Sequence, residues 1–310
     1  ASLKIAEAFN PNSTLIPHNR THGLTHALIV PDSATHLFSG QVGLIQLGAN
    51  PRVVHDSLAV AVDFSEYGFE LSGNSRAAAL VELRQALDDA KDFSRNRKSA
   101  LAGDHRDYEL SYADLAALEP VVNGKKPLLV RTNRASDIKN ILSVAREFQL
   151  KLILSSVLEG WMVADEIAAA GVPVIMDPIN NLPRAYESLG ARLDNAKLMS
   201  DAGVDLIFTG MGRSESHNAY LVRQSAGNAV ANGLNKSAAI AAMTKNPATL
   251  FRASVSGDII VDEVADLVMW SGDPLELTSE AELVIIEGEI IPMESRALQL
   301  RDRYFERLRQ

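Results

Sequence analysis

Cysteine is absent from all 310 residues of this chain. Disulfides, thiolate metal sites and cysteine nucleophiles are therefore excluded. The absence fits either a periplasmic or a cytoplasmic protein, and it does not distinguish between these compartments. The opening "ASLKIAEAF" has no initiator Met, no basic region and no long apolar segment. We expect that a leader has been removed or that this is not the natural start.

Other absences narrow the class of function. No run approaches the roughly 20 apolar residues of a membrane span. The formal net charge of −9 disfavours nucleic acid and anionic membranes as partners, because both bind basic surfaces. There is no G-x-S-x-G elbow, no Walker loop and no G-x-G-x-x-G. What is present is 46% hydrophobic and 22% charged residues, a composition typical of a globular protein with an ample core.

Short apolar runs alternate with helical patterns along most of the chain. The runs contain Val, Ile and Leu without polar alternation, which is typical of strands covered on both faces. They lie at 25–31, 57–64, 127–133, 151–157, 173–178 and 205–210, with 41–47 a doubtful seventh. Helical patterns follow at 75–93, 135–148, 161–170, 194–202 and 218–233. This alternation predicts a parallel sheet of the α/β class, most simply closed as a (β/α)8 barrel of the TIM type.

The alternation of strands and helices ends near residue 256, where short strands follow one another without helices. We therefore predict a barrel domain at 1–255, a small β-rich appendage at 256–293 and a C-terminal helix at 294–310. Two segments, 229–234 and 265–270, are expected to be buried, the second as a strand that includes Trp270.

Two stretches carry a resemblance to a known family. "NAVANGLNKSAAIAAMTKNPATLF" and the following "ADLVMWSGDPLE" resemble the end of the amidohydrolase superfamily, and specifically its imidazolonepropionase-like members. The early "NPNSTLIPHNRTHGLTHALIVP" and "FSGQVGLIQL" resemble their second barrel strand and the loop after it. The resemblance spans about residues 8–293. It implies a barrel with a C-terminal β-sandwich remnant, incomplete at the N-terminus.

The resemblance also implies a chemistry that the residues here do not support. Relatives hold zinc or another divalent metal with His and Asp side chains, and the metal-bound water attacks a non-peptide C–N bond. Their first ligands form a His-x-His, which occurs nowhere in this chain. Where relatives carry "VHAHRADDI", this chain has "VRTNRASDI", so Arg131 and Asn133 replace two histidines. By the same resemblance Ser156 and Gly210 replace two further ligands. We expect no metal at this site, because a guanidinium cannot ligate one.

The same positions suggest a different ligand. Arg131, Asn133, Arg134 and Arg213 would give the barrel mouth a positive, hydrogen-bonding character. That character suits an anionic small molecule with a carboxylate better than a cation. Arg213 follows two glycines in "GMGR", a short pattern that is common in turns.

Three further candidates have two interpretations each. Asp177 ends a predicted strand and is either a carboxylate in the pocket or part of a turn before Pro178. His217 either caps and packs a helix start or takes part in catalysis. His18, His22 and His26 have the i, i+4 spacing of metal ligands on one helical face, but Gly23 and the strand-like "THALIVP" would break that helix.

Two functions of different class remain open. The first is an amidohydrolase-family protein acting on C–N bonds other than peptide bonds, without a working metal centre. The second is a non-catalytic ligand-binding or partner subunit derived from such an enzyme. A barrel of this type needs eight strands. We therefore expect another polypeptide, either a second copy in a homo-oligomer or a complementing N-terminal fragment, to cover the open strand edges.

Overall fold

The computed structural model describes residues 1–32, 36–210, 216–253 and 255–308. The described residues form two sheets. The larger sheet has seven strands that are adjacent in chain order. They are β1 (His26–Ile29), β2 (Phe38–Gln46), β3 (Arg52–Asp63), β4 (Leu128–Thr132), β5 (Leu152–Ser156), β6 (Val174–Met176) and β7 (Leu206–Phe208). The smaller is antiparallel, with β9 between its neighbours: β8 (Leu267–Trp270), β9 (Ala281–Ile286) and β10 (Glu289–Ile291).

Helices pack on the larger sheet, and a helix is also the last element of the described chain. In chain order they are α1 (Leu15–Arg20), α2 (Glu66–Glu70), α3 (Arg76–Ala102), α4 (Tyr112–Val122), α5 (Ala135–Phe148), α6 (Ala164–Ala169), α7 (Asn195–Asp201), α8 (Val222–Ala231), α9 (Lys236–Met243), α10 (Lys245–Leu250) and α11 (Arg296–Leu308). Short 3₁₀ turns lie at Ile5–Ala8, Gly160–Val163, Tyr186–Ser188 and Ser216–Leu221. No described helix has the length and apolar content needed to cross a bilayer.

The prediction of an α/β sheet is confirmed, but its first part is not built from parallel βα units. β3 to β7 are parallel, whereas β1, β2 and β3 pair antiparallel. Only residues 47–51 join β2 to β3, too few for the crossover that parallel neighbours require. The doubtful run at 41–47 belongs to β2. Within the described chain, β1 and β7 each pair on one side only, so the sheet is open there.

The helix predictions were least accurate between β3 and β4. The pattern at 75–93 continues to Ala102 as α3, which Gly103 ends with φ +79°. Polar residues after Phe93 hide the helical period, and Asn96 has non-helical φ and ψ. α4, capped by the side chain of Ser111, was not predicted. The pattern at 218–233 is a 3₁₀ turn followed by α8.

Two apolar clusters lie on opposite faces of the larger sheet. The outer cluster packs the sheet against its helices and includes Val62, Val130 and Leu154. The inner cluster takes the alternate positions, including Ala61, Leu129 and Ile153. The alternation of strand side chains therefore directs Asp63, Arg131 and Ser155, which follow these inner positions, to the inner face at the carboxyl ends of the strands.

The burial predictions for two segments need correction. Ala229 and Leu234 are buried, but Ala231 and Gly233 between them are exposed, since the last turn of α8 faces solvent. β8 alternates between exposed and half-buried residues, so Trp270 is half-buried rather than part of the core. A strand with one covered face exposes every second side chain.

Candidate functional site

The carboxyl ends of β3, β4 and β5 surround a small pocket of about 140 Å³. Charged and hydroxyl side chains line it, and apolar residues form its floor. The polar residues of the lining are Asp32, Ser39, Asp63, Arg131 and Ser155. Active sites of α/β barrels lie at this end of the strands because the loops there converge. We take this pocket, the mouth pocket, as the candidate functional site.

Asp63 and Arg131 form the centre of the mouth pocket. They are register partners on the parallel strands β3 and β4, and the backbone N–H of Phe64 donates to the Arg131 carbonyl at 2.8 Å. Asp63 is 2% exposed, and its Oδ1 accepts from the backbone N–H and the hydroxyl of Ser65. Gly68 is required nearby, since a Cβ there would lie 1.9 Å from the Asp63 carbonyl oxygen. The strand ends therefore hold a carboxylate and a guanidinium side by side.

A second carboxylate stands beside Asn133, which is 3% exposed. Asn133 Nδ2 donates to Glu187 Oε1 at 2.7 Å, and the backbone N–H of Glu66 donates to Glu187 Oε2 at 2.8 Å. Burial raises the pKa of Glu187, although these two hydrogen bonds and the charge of Arg131 act in the opposite direction. Asn133 Oδ1 is buried without a hydrogen-bond partner among the described residues. Glu187 is thus a second carboxyl group, held by two hydrogen bonds at the side of the barrel mouth.

Ser155, rather than the predicted Ser156, lines the mouth pocket. Ser155 pairs in register with Arg131, whereas Ser156 pairs with Thr132. Ser156 and Val157 have φ of +75° and +55°, a left-handed conformation that is unusual for residues other than glycine and strained for a β-branched one. The turn that follows β5 therefore carries strain next to the candidate site.

The other predicted site residues do not line the mouth pocket where the structure describes them. Arg134 is the N-cap residue of α5. Asp177 Oδ1 accepts from the Ile179 backbone N–H at 3.1 Å and from the Ser225 hydroxyl at 3.0 Å, so it both forms a turn and ties β6 to α8. At Gly210 a Cβ would lie 2.7 Å from the Val222 backbone nitrogen, which explains the glycine. Arg213 lies outside the described residues.

The histidines divide into two groups, as the predicted break after α1 implies. The rings of His18 and His22 lie beside Tyr220, with their centroids 4.9 Å apart and their planes tilted by 59°, and the Nδ1–H of His22 donates to the His18 carbonyl at 2.7 Å. His217 is exposed on the neighbouring 3₁₀ turn. Burial, and then the nearby His22 and His217, lower the pKa of His18. His26 lies in β1 and makes no ring contact with this group.

The donor set at the mouth pocket does not suit a divalent metal. Asp32 and Asp63 supply oxygen atoms, but the guanidinium of Arg131 lines the same small space and repels a cation. Across the described ranges no three His, Asp or Glu side chains are grouped so that they could hold a metal ion.

Sequence reasoning missed several residues of this site. Asp63 ends a correctly predicted strand, so the rule that singled out Arg131 also applies to it. Glu187 gave no such signal, because it lies in a loop and reaches Asn133 through the tertiary fold alone.

The comparisons with known proteins give the fold. No family model and no curated protein matches this sequence. Among solved structures, an amidohydrolase from Thermotoga maritima superposes with a TM-score of 0.83 at 22% identity, covering 95% of this chain and 78% of its own. A triazine hydrolase variant has a TM-score of 0.42 at 15% identity, covering 62% of this chain and 49% of its own. A likeness as weak as the second carries no weight, whereas the first shows that this chain has the fold of an amidohydrolase.

Proposed function

We propose that this chain is an amidohydrolase-like protein whose mouth pocket binds a small, carboxylate-bearing polar molecule without a divalent metal. The observation that carries the proposal is the Asp63–Arg131 pair on adjacent strand ends. A guanidinium binds a carboxylate through two parallel hydrogen bonds. The two carboxylates in the lining add acceptors for an ammonium or hydroxyl group.

The ligand class follows from size and charge. The pocket volume of about 140 Å³ suits only a few non-hydrogen atoms. Arg131, Asp32 and Asp63 already have interactions within the protein, so the ligand joins an existing set of charges. A zwitterion of the size of an amino acid matches a lining that carries both signs. This extends the anionic ligand expected from the sequence, because that expectation did not include Asp32 and Asp63.

Calorimetric titration with glycine, acetate and methylammonium tests this proposal. Glycine should bind, and the singly charged probes should bind at least about tenfold more weakly. Arg131→Met should abolish glycine binding. Arg146→Met, at an exposed site on α5, is the matched control and should not. Equal heats for Arg131→Met and the parent would remove Arg131 from the site.

Glu187 supports a second candidate function, which is hydrolysis of a C–N bond without a metal. A carboxyl with a raised pKa can donate a proton to a leaving nitrogen. Hydantoin and N-acetylglycine are suitable probes after dialysis against a chelator. Turnover that is lost in Glu187→Gln but kept in Glu70→Gln, an exposed control on α2, would favour this function. No turnover in the parent protein would favour the non-catalytic binding protein.

A further inference from the structure

A second and larger cavity lies away from the mouth pocket. It has a volume of about 430 Å³, within the usual range of small-molecule sites. Residues of β1, of α8 to α10 and of β8 line it, so it lies between the open edge of the large sheet and the small sheet. Most of the lining is apolar, and it includes Leu28, Met243, Phe251, Val268 and Trp270.

The cavity contains a buried histidine–carboxylate pair. His26 Nδ1 lies 3.1 Å from Asp266 Oδ2, and their side chains are only 11% and 6% exposed. The backbone N–H of Glu287 donates to the other Asp266 oxygen at 2.7 Å, which fixes the carboxylate. His26 Nδ1 also lies 3.2 Å from the Thr25 hydroxyl oxygen, whereas Asp266 Oδ2 has no hydrogen-bond partner among the described residues. With its proton on Nδ1, beside these two oxygens, the neutral ring presents Nε2 as an acceptor.

His26 Nε2 is buried, and no described residue donates to it. An acceptor that is shielded from water without a donor costs about 1–3 kcal/mol. A ligand O–H or N–H group would supply the missing donor. The pair therefore places a buried polar group in a cavity whose lining is mostly apolar.

The guanidinium group in the cavity lining, that of Arg223, already has hydrogen-bond partners within the protein. The Arg223 guanidinium donates to the carbonyls of Pro274, Glu276 and Ser279 at 2.7–3.1 Å, and it lies 5.1 Å from the centre of the Trp270 ring. Burial lowers its pKa. Arg223 therefore secures the neighbouring loop, and the described lining of the cavity contains no Lys and no other Arg.

We infer that this cavity binds a neutral, largely apolar molecule, aromatic or aliphatic, that donates one O–H or N–H hydrogen bond to His26. This site is separate from the mouth pocket in position and in ligand chemistry. It does not depend on the function proposed for that pocket.

Indole and benzofuran test the inference, because they share a shape and differ in the N–H donor. Ligand-detected NMR and calorimetry should show indole binding roughly tenfold more tightly than benzofuran. His26→Phe should bring this ratio to about one. His55→Phe, at an exposed histidine of β3, should leave it unchanged.

A second variant keeps the test decisive if His26→Phe does not fold. Ala253→Phe places a ring in the half-buried cavity lining and should weaken both probes together. The inference is overturned if neither probe binds at millimolar concentration or if both bind equally to the parent protein. It is also overturned if native mass spectrometry shows a polypeptide that fills the cavity and excludes both probes.

Discussion

Asp63 and Arg131 are register partners on adjacent parallel strands, and both line the pocket at the carboxyl end of the sheet. A carboxylate and a guanidinium at neighbouring strand ends present opposite charges to the same small volume. This relationship supports a ligand site in which a guanidinium stands where the resemblance expects a metal-binding histidine. The fold therefore resembles that of a hydrolase, whereas Arg131 gives the site a different chemistry.

The strained turn after β5 should respond to glycine. Ser156 has φ +75°, so Ser156→Gly should stabilise the protein by up to about 1 kcal/mol, net of the entropy that glycine adds to the unfolded chain. Ser155→Gly, in the regular part of the strand, should instead destabilise it. Urea unfolding of both variants checks this. Equal losses of stability in the two would show that Ser156 carries no strain.

The contact between Gly23 and Trp270 should limit substitution in the turn that precedes β1. Gly23 has φ +94°, and a Cβ there would lie 2.7 Å from the Trp270 ring. Gly23→Ala should cost about 2–4 kcal/mol, since it combines backbone strain with overpacking. Gly73→Ala, with φ +65° and open space, should cost only about 1 kcal/mol.

The same contact predicts non-additivity. In a Trp270→Ala background, Gly23→Ala should cost at least about 1 kcal/mol less than in the parent. Chemical denaturation of the four proteins in this cycle measures the coupling. An additive cycle would mean that Trp270 does not pack on Gly23.

A network between α3 and the segment before α4 should make stability depend on acid. Asp92 accepts from His105 Nε2 at 2.7 Å and from the Tyr108 hydroxyl at 2.9 Å. These contacts, with that to His105 the largest, lower the pKa of Asp92 to about 2. The contribution of Asp92 to the free energy of unfolding is therefore present above its unfolded pKa of 3.8, and it is lost as the pH falls through about 2.

The difference in unfolding free energy between the parent and Asp92→Asn should shrink as the pH falls from about 4 towards 2. Asp88→Asn, at an exposed residue of α3 outside the network, is the control. Denaturant titrations at several pH values make the comparison. A difference that grows as the pH falls would contradict the assigned direction.

The open sheet predicts association. β1 and β7 each pair on one side only in the described chain, and unpaired edges bind further strands. We propose that a second copy or another polypeptide segment covers them, and light scattering should give a mass above 33.5 kDa. A stable monomer of these residues alone would contradict this.

Patterns of neighbouring residues in the sequence predicted the strands and helices that such patterns alone determine. β4, α5 and β5 match their apolar runs, and the break between α1 and β1 was visible at Gly23. The antiparallel pairing of the first strands was missed because an apolar run does not show whether a strand is parallel or antiparallel to its neighbour. Glu187 was missed because its burial beside Asn133 results from residues 54 positions apart in the chain.

The resemblance pointed to Ser156, but Ser155 is the serine that lines the mouth pocket. A motif aligns residues, but strand alternation decides which of two neighbours faces the pocket. Only the register with Arg131 distinguishes them.

The metal content of the saturated protein decides whether the mouth pocket holds a metal ion. The purified protein is incubated with excess zinc, manganese or nickel, desalted, and measured by plasma mass spectrometry. We expect no stoichiometric metal that depends on the mouth pocket, because Arg131 occupies it. One metal ion per chain that is lost in Asp63→Ala or Asn133→Ala would contradict the account.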